Sequence, residues 1–331
     1  MEVPVRRAIG LGLLALGIFG VTLGLLLRFY AYPKLAVAPL DPGVKSIAQG
    51  TATVFYPATL KTRSDVLLTA TRRVDGKIDS PDVRVNGKVA VWEMGLVTED
   101  DTGAMVDAQD QWVCVDRRTA MAVQPCSDQK INTDAGVQAT GLQYKFPFNT
   151  QKQDYPFFDV LTRTAPMMHF DGEEVIDGLP TYRFVQTIPV TKIADVDAPS
   201  SLVGGTTNDT VTAGRMYEDR RTVWVEPYTG QIVKGQEKVH QFLRGPNGQD
   251  GQLLLDGTLA FTADTVQTSV DKAKSDRAKV RLLYDSGPRL LIGLGVLFLL
   301  AGLLVLLLPG GRANVPSSLS VRHRREMAGV A

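Results

Sequence analysis

Three histidines, two cysteines and two acidic runs are the residues of this 331-residue chain whose types could carry chemistry. His169, His240 and His323 stand far apart. No G-x-S-x-G elbow, phosphate loop or H-E-x-x-H pair accompanies them, so no nucleophile or metal pair is spelled out locally. Asp171-Gly-Glu173-Glu174 and Glu99-Asp100-Asp101 offer paired carboxylates of the kind that flank a glycosidic bond under hydrolysis. Both groupings lie beside glycines in expected turns, which reads as solvated loop acids rather than an acid and a base. No catalytic residue, metal site or cofactor is expected. Cys114 and Cys126 lack the C-x-x-C spacing of redox catalysts. Twelve residues apart, around Arg117-Arg118-Thr119, they read as a structural disulfide, with free thiols as the alternative. Asn208-Asp209-Thr210 fits a glycosylation acceptor by pattern alone.

The most unusual segment is aromatic. Tyr144, Phe146, Phe148, Tyr155, Phe157 and Phe158 fall within fifteen residues, interrupted by Pro147 and Pro156. Adjacent side chains of an extended chain point to opposite faces, so one of Phe157 and Phe158 can enter a core while the other lines a cavity. The six aromatics are candidate contacts for a lipid or acyl chain, with ordinary core packing as the alternative. Arg28, Tyr30, Tyr32 and Lys34 form a second group, in which aromatics and cations mix as they do at a membrane interface.

The elements that must position these residues begin with two apolar runs. Ala8 to Leu27 and Leu290 to Leu308 carry no charge and reach the roughly 18 to 20 residues needed to cross a bilayer. The first is longer than the usual apolar core of a secretion signal, so it reads as an uncleaved anchor, a cleaved signal being the alternative. The expected organisation is a tail over 1–7, a transmembrane helix over 8–27 and a β-rich domain over 28–263. A juxtamembrane helix over 264–289, a second transmembrane helix over 290–308 and a basic tail over 309–331 follow. Gly10, Gly17 and Gly24 recur every seven residues in the first span, and Gly295 and Gly302 in the second. This spacing lets membrane helices approach closely.

Charge supports this division. The chain holds 36 Lys and Arg against 35 Asp and Glu, without the basic face that nucleic-acid binding requires. The tails contain six Lys/Arg and two Asp/Glu, so the net +1 of the chain leaves −3 on the remainder. Arg6 and Arg7, with Arg312, Arg322, Arg324 and Arg325, place both termini in the cytoplasm and the large domain outside the plasma membrane. The inverted arrangement is the alternative. Two cysteines exclude a disulfide-dense scaffold and a four-thiolate zinc site.

Between the anchors the pattern is β. Thr51 to Tyr56, Val66 to Val74, Val83 to Trp92, Gln111 to Asp116, Thr181 to Ile188, Arg221 to Glu226, Gln231 to Phe242 and Gly251 to Phe261 alternate or are rich in branched and aromatic residues. Turn signals at Asp75-Gly76, Asn86-Gly87, Asp177-Gly178, Pro227 to Gly230 and Asn247-Gly248 separate several of them. Lys192 to Arg215 reads as a mobile excursion. One soluble helix is expected over 264–284, standing as a stalk. The fold class is mainly β: a large antiparallel barrel or curved sheet between two terminal transmembrane helices.

Five segments carry a family resemblance: Arg28 to Asp41, Tyr144 to Phe148, Tyr155 to Asp159, Arg221 to Gly230 and Leu255 to Leu259. Together they resemble the actinobacterial porin PorA-like membrane protein family over nearly the whole chain. The resemblance implies an envelope protein, with some mycolate-producing relatives linked to assembly of lipomannan and lipoarabinomannan, and it carries no catalytic residues. Asp177 to Phe184 with Val223 to Val233 is similar to the hairpins of LolA-like lipoprotein carriers, whose curved sheets hold acyl chains. A spanning barrel has no apolar helical anchors, and neither span has a polar stripe to line a channel. The expectation is therefore a non-catalytic membrane protein whose domain binds or guides a lipid or lipid-linked glycan. A scaffold for envelope glycosyltransferases and a pore-forming protein are the alternatives. The expected partners are the membrane, such a lipid, envelope-assembly proteins or a second copy, with no nucleic acid.

Overall fold

The computed structural model describes residues 2–85, 87–207 and 209–308. Asn86, Asn208 and the basic tail, with Arg312, His323 and its other cations, fall outside them. The chain divides into two compact units, one of residues 1–26 and 288–331, the other of residues 27–287.

The first unit is a helical pair. Helix α1 spans Glu2–Leu26 and its partner, the last helix of the chain, spans Gly287–Leu307. Both are long and apolar enough to cross a membrane. Glycine sets how closely they meet: a Cβ on Gly17 would stand 2.8 Å from Gly295 O, and one on Gly302 would stand 2.9 Å from Gly10 O. A Cβ on Gly24 would meet Ile292 Cγ1 at 2.7 Å. Arg6, at the polar end of the first helix, donates from Nε to Val305 O at 2.7 Å.

The second unit opens with a π-type turn at Leu27–Ala31 and a single helical turn, α2, at Tyr32–Leu35. Eleven strands follow: β1 Val44–Tyr56, β2 Lys61–Gly76, β3 Val89–Glu99, β4 Met105–Asp116, β5 Lys130–Ile131, β6 Tyr155–Pro156, β7 Met167–Ile176, β8 Leu179–Pro199, β9 Thr210–Glu226, β10 Gln231–Arg244 and β11 Asp250–Phe261. A short helix, α3, occupies Pro81–Val85, and α4 spans Ala263–Arg281, leading through a second π-type turn to the final helix, α5. The strands form one sheet in the order β5-β4-β3-β2-β1-β11-β10-β9-β8-β7-β6, with antiparallel neighbours throughout. The sheet is curled into a half-barrel, the curved-sheet form of the expected fold class.

Segment 117–166 runs from one edge of this sheet to the other. It links them by single-residue bridges, Val115 to Ala122, Met121 to Leu142 and Leu142 to Phe157. These bridges serve one end of the curl only. Pairing of β7 with β8 stops at Gln186, and among the described residues Thr187 to Pro199 has no ladder partner on that side.

Four features differ from the sequence reading. Val83 to Trp92 is not one strand, because Pro81 starts a helical turn and the strand begins at Val89. Lys192 to Arg215 is not an excursion: β8 and β9 pair from Thr191 with Tyr217 to Pro199 with Thr210. Its polar residues face water on a two-stranded ribbon, while Ala198, Val203 and Ala213 pack on Leu243. Asp75-Gly76 is no turn, since β2 runs through it and the Gly76 amide donates to Asp41 Oδ1. Helix α4 is not a free stalk. Capped by Thr262, whose side chain accepts from the Thr265 amide, it buries Val270 and Ala273 against Ile176, Leu179, Trp224 and Val233. Removing Val270 from water contributes roughly 1.5 to 3 kcal/mol and the Ala273 methyl about 0.8 kcal/mol, so this face holds the helix on the convex side of the sheet.

Candidate functional site

Strand alternation sends one set of side chains to the concave face of the curl. Ala48 on β1, Leu68, Ala70 and Arg72 on β2, Met94 and Leu96 on β3, and Leu255, Leu259 and Phe261 on β11 all point there. Gly235 on β10 leaves room for one of them: a Cβ there would stand 3.1 Å from the Phe261 ring. The result is a cavity of about 200 Å³, open on one side and mostly apolar. Its volume lies below the roughly 300 to 1,000 Å³ of pockets that enclose a small ligand, so it fits part of a larger molecule.

A polar network forms one wall. Tyr217, Asp219 and Arg221 follow one another on the inward face of β9, in phase with Val223 and Val225. Arg221 donates from Nε to Glu237 Oε1 at 2.6 Å, from Nη1 to Gln186 Oε1 at 2.8 Å and from Nη2 to Asp159 Oδ2 at 3.2 Å. The Tyr217 hydroxyl donates to the same Asp159 oxygen at 3.2 Å. Burial works against the Arg221 charge, but Glu237, Asp219 and Asp159 overcome it and hold the guanidinium protonated well above its ordinary range. Asp219 is buried with both oxygens lacking a hydrogen-bond partner. Desolvation, then the Glu237 charge, pushes its carboxyl up to about 8, so at neutral pH it is mostly a neutral acid.

Of the six aromatics singled out by sequence, Tyr144, Phe157 and Phe158 line the cavity. Phe157 and Phe158 belong to two different core clusters, yet both also touch the cavity, so the expected division of one ring to the core and one to the cavity does not occur. Phe146, Phe148 and Tyr155 do not line it. Phe146 is fully buried, 4.5 Å from the Phe184 ring centroid and 5.4 Å from that of Tyr155, and these rings fill the core beneath β8. Phe148 lies half-buried, its ring 4.1 Å from Lys145 Nζ. That ammonium donates to Phe146 O at 2.7 Å, and burial pushes it down to about 7.

The interfacial group divides as well. Tyr30 is exposed and accepts a hydrogen bond from Lys34 Nζ at 2.8 Å. Arg28 stacks on the Tyr284 ring at 4.6 Å and donates to Tyr284 O. Tyr32 is instead buried with Ala36 and Val280, its ring 4.7 Å from Tyr284, so it anchors the unit internally.

The residues that could do chemistry are otherwise engaged. Cys114 and Cys126 are joined by a disulfide, so neither sulfur is a thiolate ligand, although Asp82 lies beside them. His169 pairs with Asp154 at 2.7 Å on the exposed surface, and His240 lies 3.4 Å from Asp256. Asp171, Glu173 and Glu174 are not turn residues. They sit on β7 around a bulge at Gly172, where φ is +122°, and pair with Arg183, Lys152 and the Trp224 indole. Asp100 does cap a turn, accepting from Thr102 and Ala104 amides and from the Tyr56 hydroxyl. The Thr102 and Tyr56 hydroxyls hold its carboxyl well below the usual range.

The network of Asp159, Gln186, Tyr217, Arg221 and Glu237, with Asp219 beside it, escaped the sequence reading, because it is assembled from β8, β9, β10 and the loop after Phe158. One local signal was present: Asp219 and Arg221, two apart, occupy the same face of a strand as Val223 and Val225. The convex face is largely polar, with Arg73, Arg220, Lys238, Asp256 and Thr258 exposed in the alternate positions and Leu67 and Val97 exposed among them. These residues do not make the continuous apolar band of a lipid-facing barrel wall.

Comparison with known proteins places this architecture. A family model described as Porin PorA matches residues 9–304. A Porin PorA of Corynebacterium amycolatum is 31% identical over 193 residues, covering 47% of this chain and 50% of that protein. A Porin PorA of Corynebacterium resistens is 26% identical over 279 residues, covering 61% of this chain and 67% of that protein. The chain thus spans half the length of the first relative and about two thirds of the second. It belongs to the PorA family of membrane proteins.

Proposed function

We propose that this PorA-family membrane protein works without catalysis, holding the apolar part of a lipid or lipid-linked glycan in the concave face of its sheet. The observation that carries this reading is the open, apolar cavity between Leu68, Leu255, Phe157 and Phe158, on a sheet whose opposite face is polar. Tyr144 belongs to the same wall. The domain is assigned to the outer side of the plasma membrane with both termini inside. The Cys114 to Cys126 disulfide supports an oxidising surrounding, and the arginines of the tails support the orientation.

The test is lipid analysis of the purified full chain beside Ala70→Phe, which fills the cavity. A lipid class retained above its share in the source membrane, and lost in the variant, supports the reading. Identical lipid content in both overturns it.

Pore formation is the second reading, and the names of the family and of both relatives speak for it rather than for lipid binding. The polar convex face and the uncharged spans leave assembly of several copies as its physical route. Unitary conductance steps from the purified chain in planar bilayers would favour this reading, and a silent bilayer would count against it.

A further inference from the structure

Arg72 lines the cavity from β2 and, among the described residues, its guanidinium meets an aromatic ring but no carboxylate and no hydrogen-bond acceptor. Its guanidinium projects from β2 into the cavity beside Phe261, with Cζ 5.9 Å from that ring centroid. Among the described residues it makes no side-chain hydrogen bond and no ion pair. The contrast with Arg221 is direct, since that guanidinium uses its donors on Glu237, Gln186 and Asp159. Glu237, the carboxylate whose charge most favours the Arg72 cation, is already bound to Arg221 Nε at 2.6 Å, and the Arg221 charge opposes it.

A desolvated cation costs free energy unless a counter-charge or hydrogen-bond acceptor meets it. Burial, and to a smaller extent the Arg221 charge, lowers the Arg72 pKa, yet a guanidinium stays protonated under all ordinary conditions. The charge therefore persists beside an apolar space, with its planar fork of N–H donors unused. Carboxylate and phosphate oxygens match that fork in pairs. Ser46, Thr98 and Gln109 add neutral polar atoms along the same lining.

We propose that the cavity selects anionic amphiphiles, their apolar chain lying along Leu68, Leu255 and Leu259 and their carboxylate or phosphate group paired with Arg72. This inference rests on the apolar-chain reading above and adds to it the charge of the ligand. It also sets the direction of the bound molecule, with the head at the Arg72 and Phe261 end of β2 and β11 and the tail toward Leu68 and Leu255.

The experiment measures binding to the full chain in nanodiscs of uncharged lipid, using three probes with the same sixteen-carbon chain: palmitate, the lysophosphatidate and neutral hexadecanol. The expected result is binding of palmitate, of lysophosphatidate or of both at least tenfold tighter than hexadecanol. The favoured anion identifies whether carboxylate or phosphate is the natural head. Arg72→Gln, which keeps a polar side chain of similar length, should erase that preference while hexadecanol binding stays. Arg72→Lys should keep part of it. Equal affinity for charged and neutral probes in the natural chain, or a preference that survives Arg72→Gln, overturns the proposal and leaves the apolar-chain reading standing. Binding of none of the three overturns both.

Discussion

Arg221 Nη2 donates to Asp159 Oδ2 at 3.2 Å across 62 residues of sequence, tying the loop after Phe158 to the inward face of β9. The same nitrogen lies 3.6 Å from Asp219 Oδ2. Both carboxyl groups are almost fully buried, and the nitrogen's hydrogen bond goes to Asp159, leaving Asp219 at ion-pair distance only.

Removing the cation should be costly. Arg221→Met leaves Asp159 and Glu237 without their shared partner, and an uncompensated buried charge typically destabilises by about 3 to 5 kcal/mol. The expected outcome is a clear fall in the thermal midpoint of the full chain in detergent. A midpoint unchanged within error would show that water or relaxation replaces the guanidinium.

Asp219 should give the domain a pH dependence of definite sign. Its carboxyl is raised to about 8 when folded, against roughly 3.9 in an unfolded chain. Between these values the folded state binds the extra proton, so the stability this group contributes is complete below about pH 4. It is lost progressively as pH rises toward 8. Denaturation midpoints taken from pH 5 to pH 9 should fall more steeply for the natural chain than for Asp219→Asn, which has nothing to titrate there. Parallel curves would refute this assignment.

The glycine contacts of the helical pair predict a position-specific effect. At Gly17 a Cβ would stand 2.6 Å from Leu299 Cγ as well as close to Gly295 O, whereas Gly12 has nothing within 4 Å. Gly17→Leu should loosen the pair by about 1 to 3 kcal/mol, the usual cost of overpacking. Gly12→Leu should leave it intact. Distances between spin labels on α1 and α5, measured in nanodiscs, separate the two outcomes.

The disulfide closes a loop of 12 residues in separation, for which restriction of the unfolded chain contributes roughly 2 to 3 kcal/mol. Cys114→Ala with Cys126→Ala should lower the denaturation midpoint accordingly. The natural chain under strong reductant should approach the same value.

Much of the sheet was legible because its strands alternate. Ala70, Arg72 and Val74 on β2 face inward while Thr69, Thr71 and Arg73 face out, and period two reveals that in the sequence; on β9 the alternation of Val223 and Val225 is filled on the other face by Trp224, which packs under α4. The ribbon of β8 and β9 was not legible, since between Thr191 and Thr212 most side chains on both faces are polar and only the pairing itself shows a strand. Gly172 concealed β7: its bulge breaks the alternation where the acids sit. Half of the candidate site could be read, in Tyr144, Phe157 and Phe158. The other half could not, because Arg72 and Arg221 come to one cavity only through the sheet's register, and because Phe146 and Tyr155 look identical in sequence to their cavity-lining neighbours.

The stretch of β8 from Thr187 to Pro199, paired with β9 but with no ladder partner on the β7 side among the described residues, has a mechanical consequence. A closed barrel has a fixed girth, and enlarging its bore breaks backbone hydrogen bonds at about 0.5 to 1.5 kcal/mol each. Here the bridges through Ala122, Leu142 and Phe157 pin one end of the curl, while the other end is a seam with no ladder to break. Tightening or relaxing the twist there changes the capacity of the trough without unzipping any strand. The sheet then resembles a leaf spring, and on the proposed lipid-holding reading the thickness of the chain it accepts would be set by its curvature rather than by a fixed diameter.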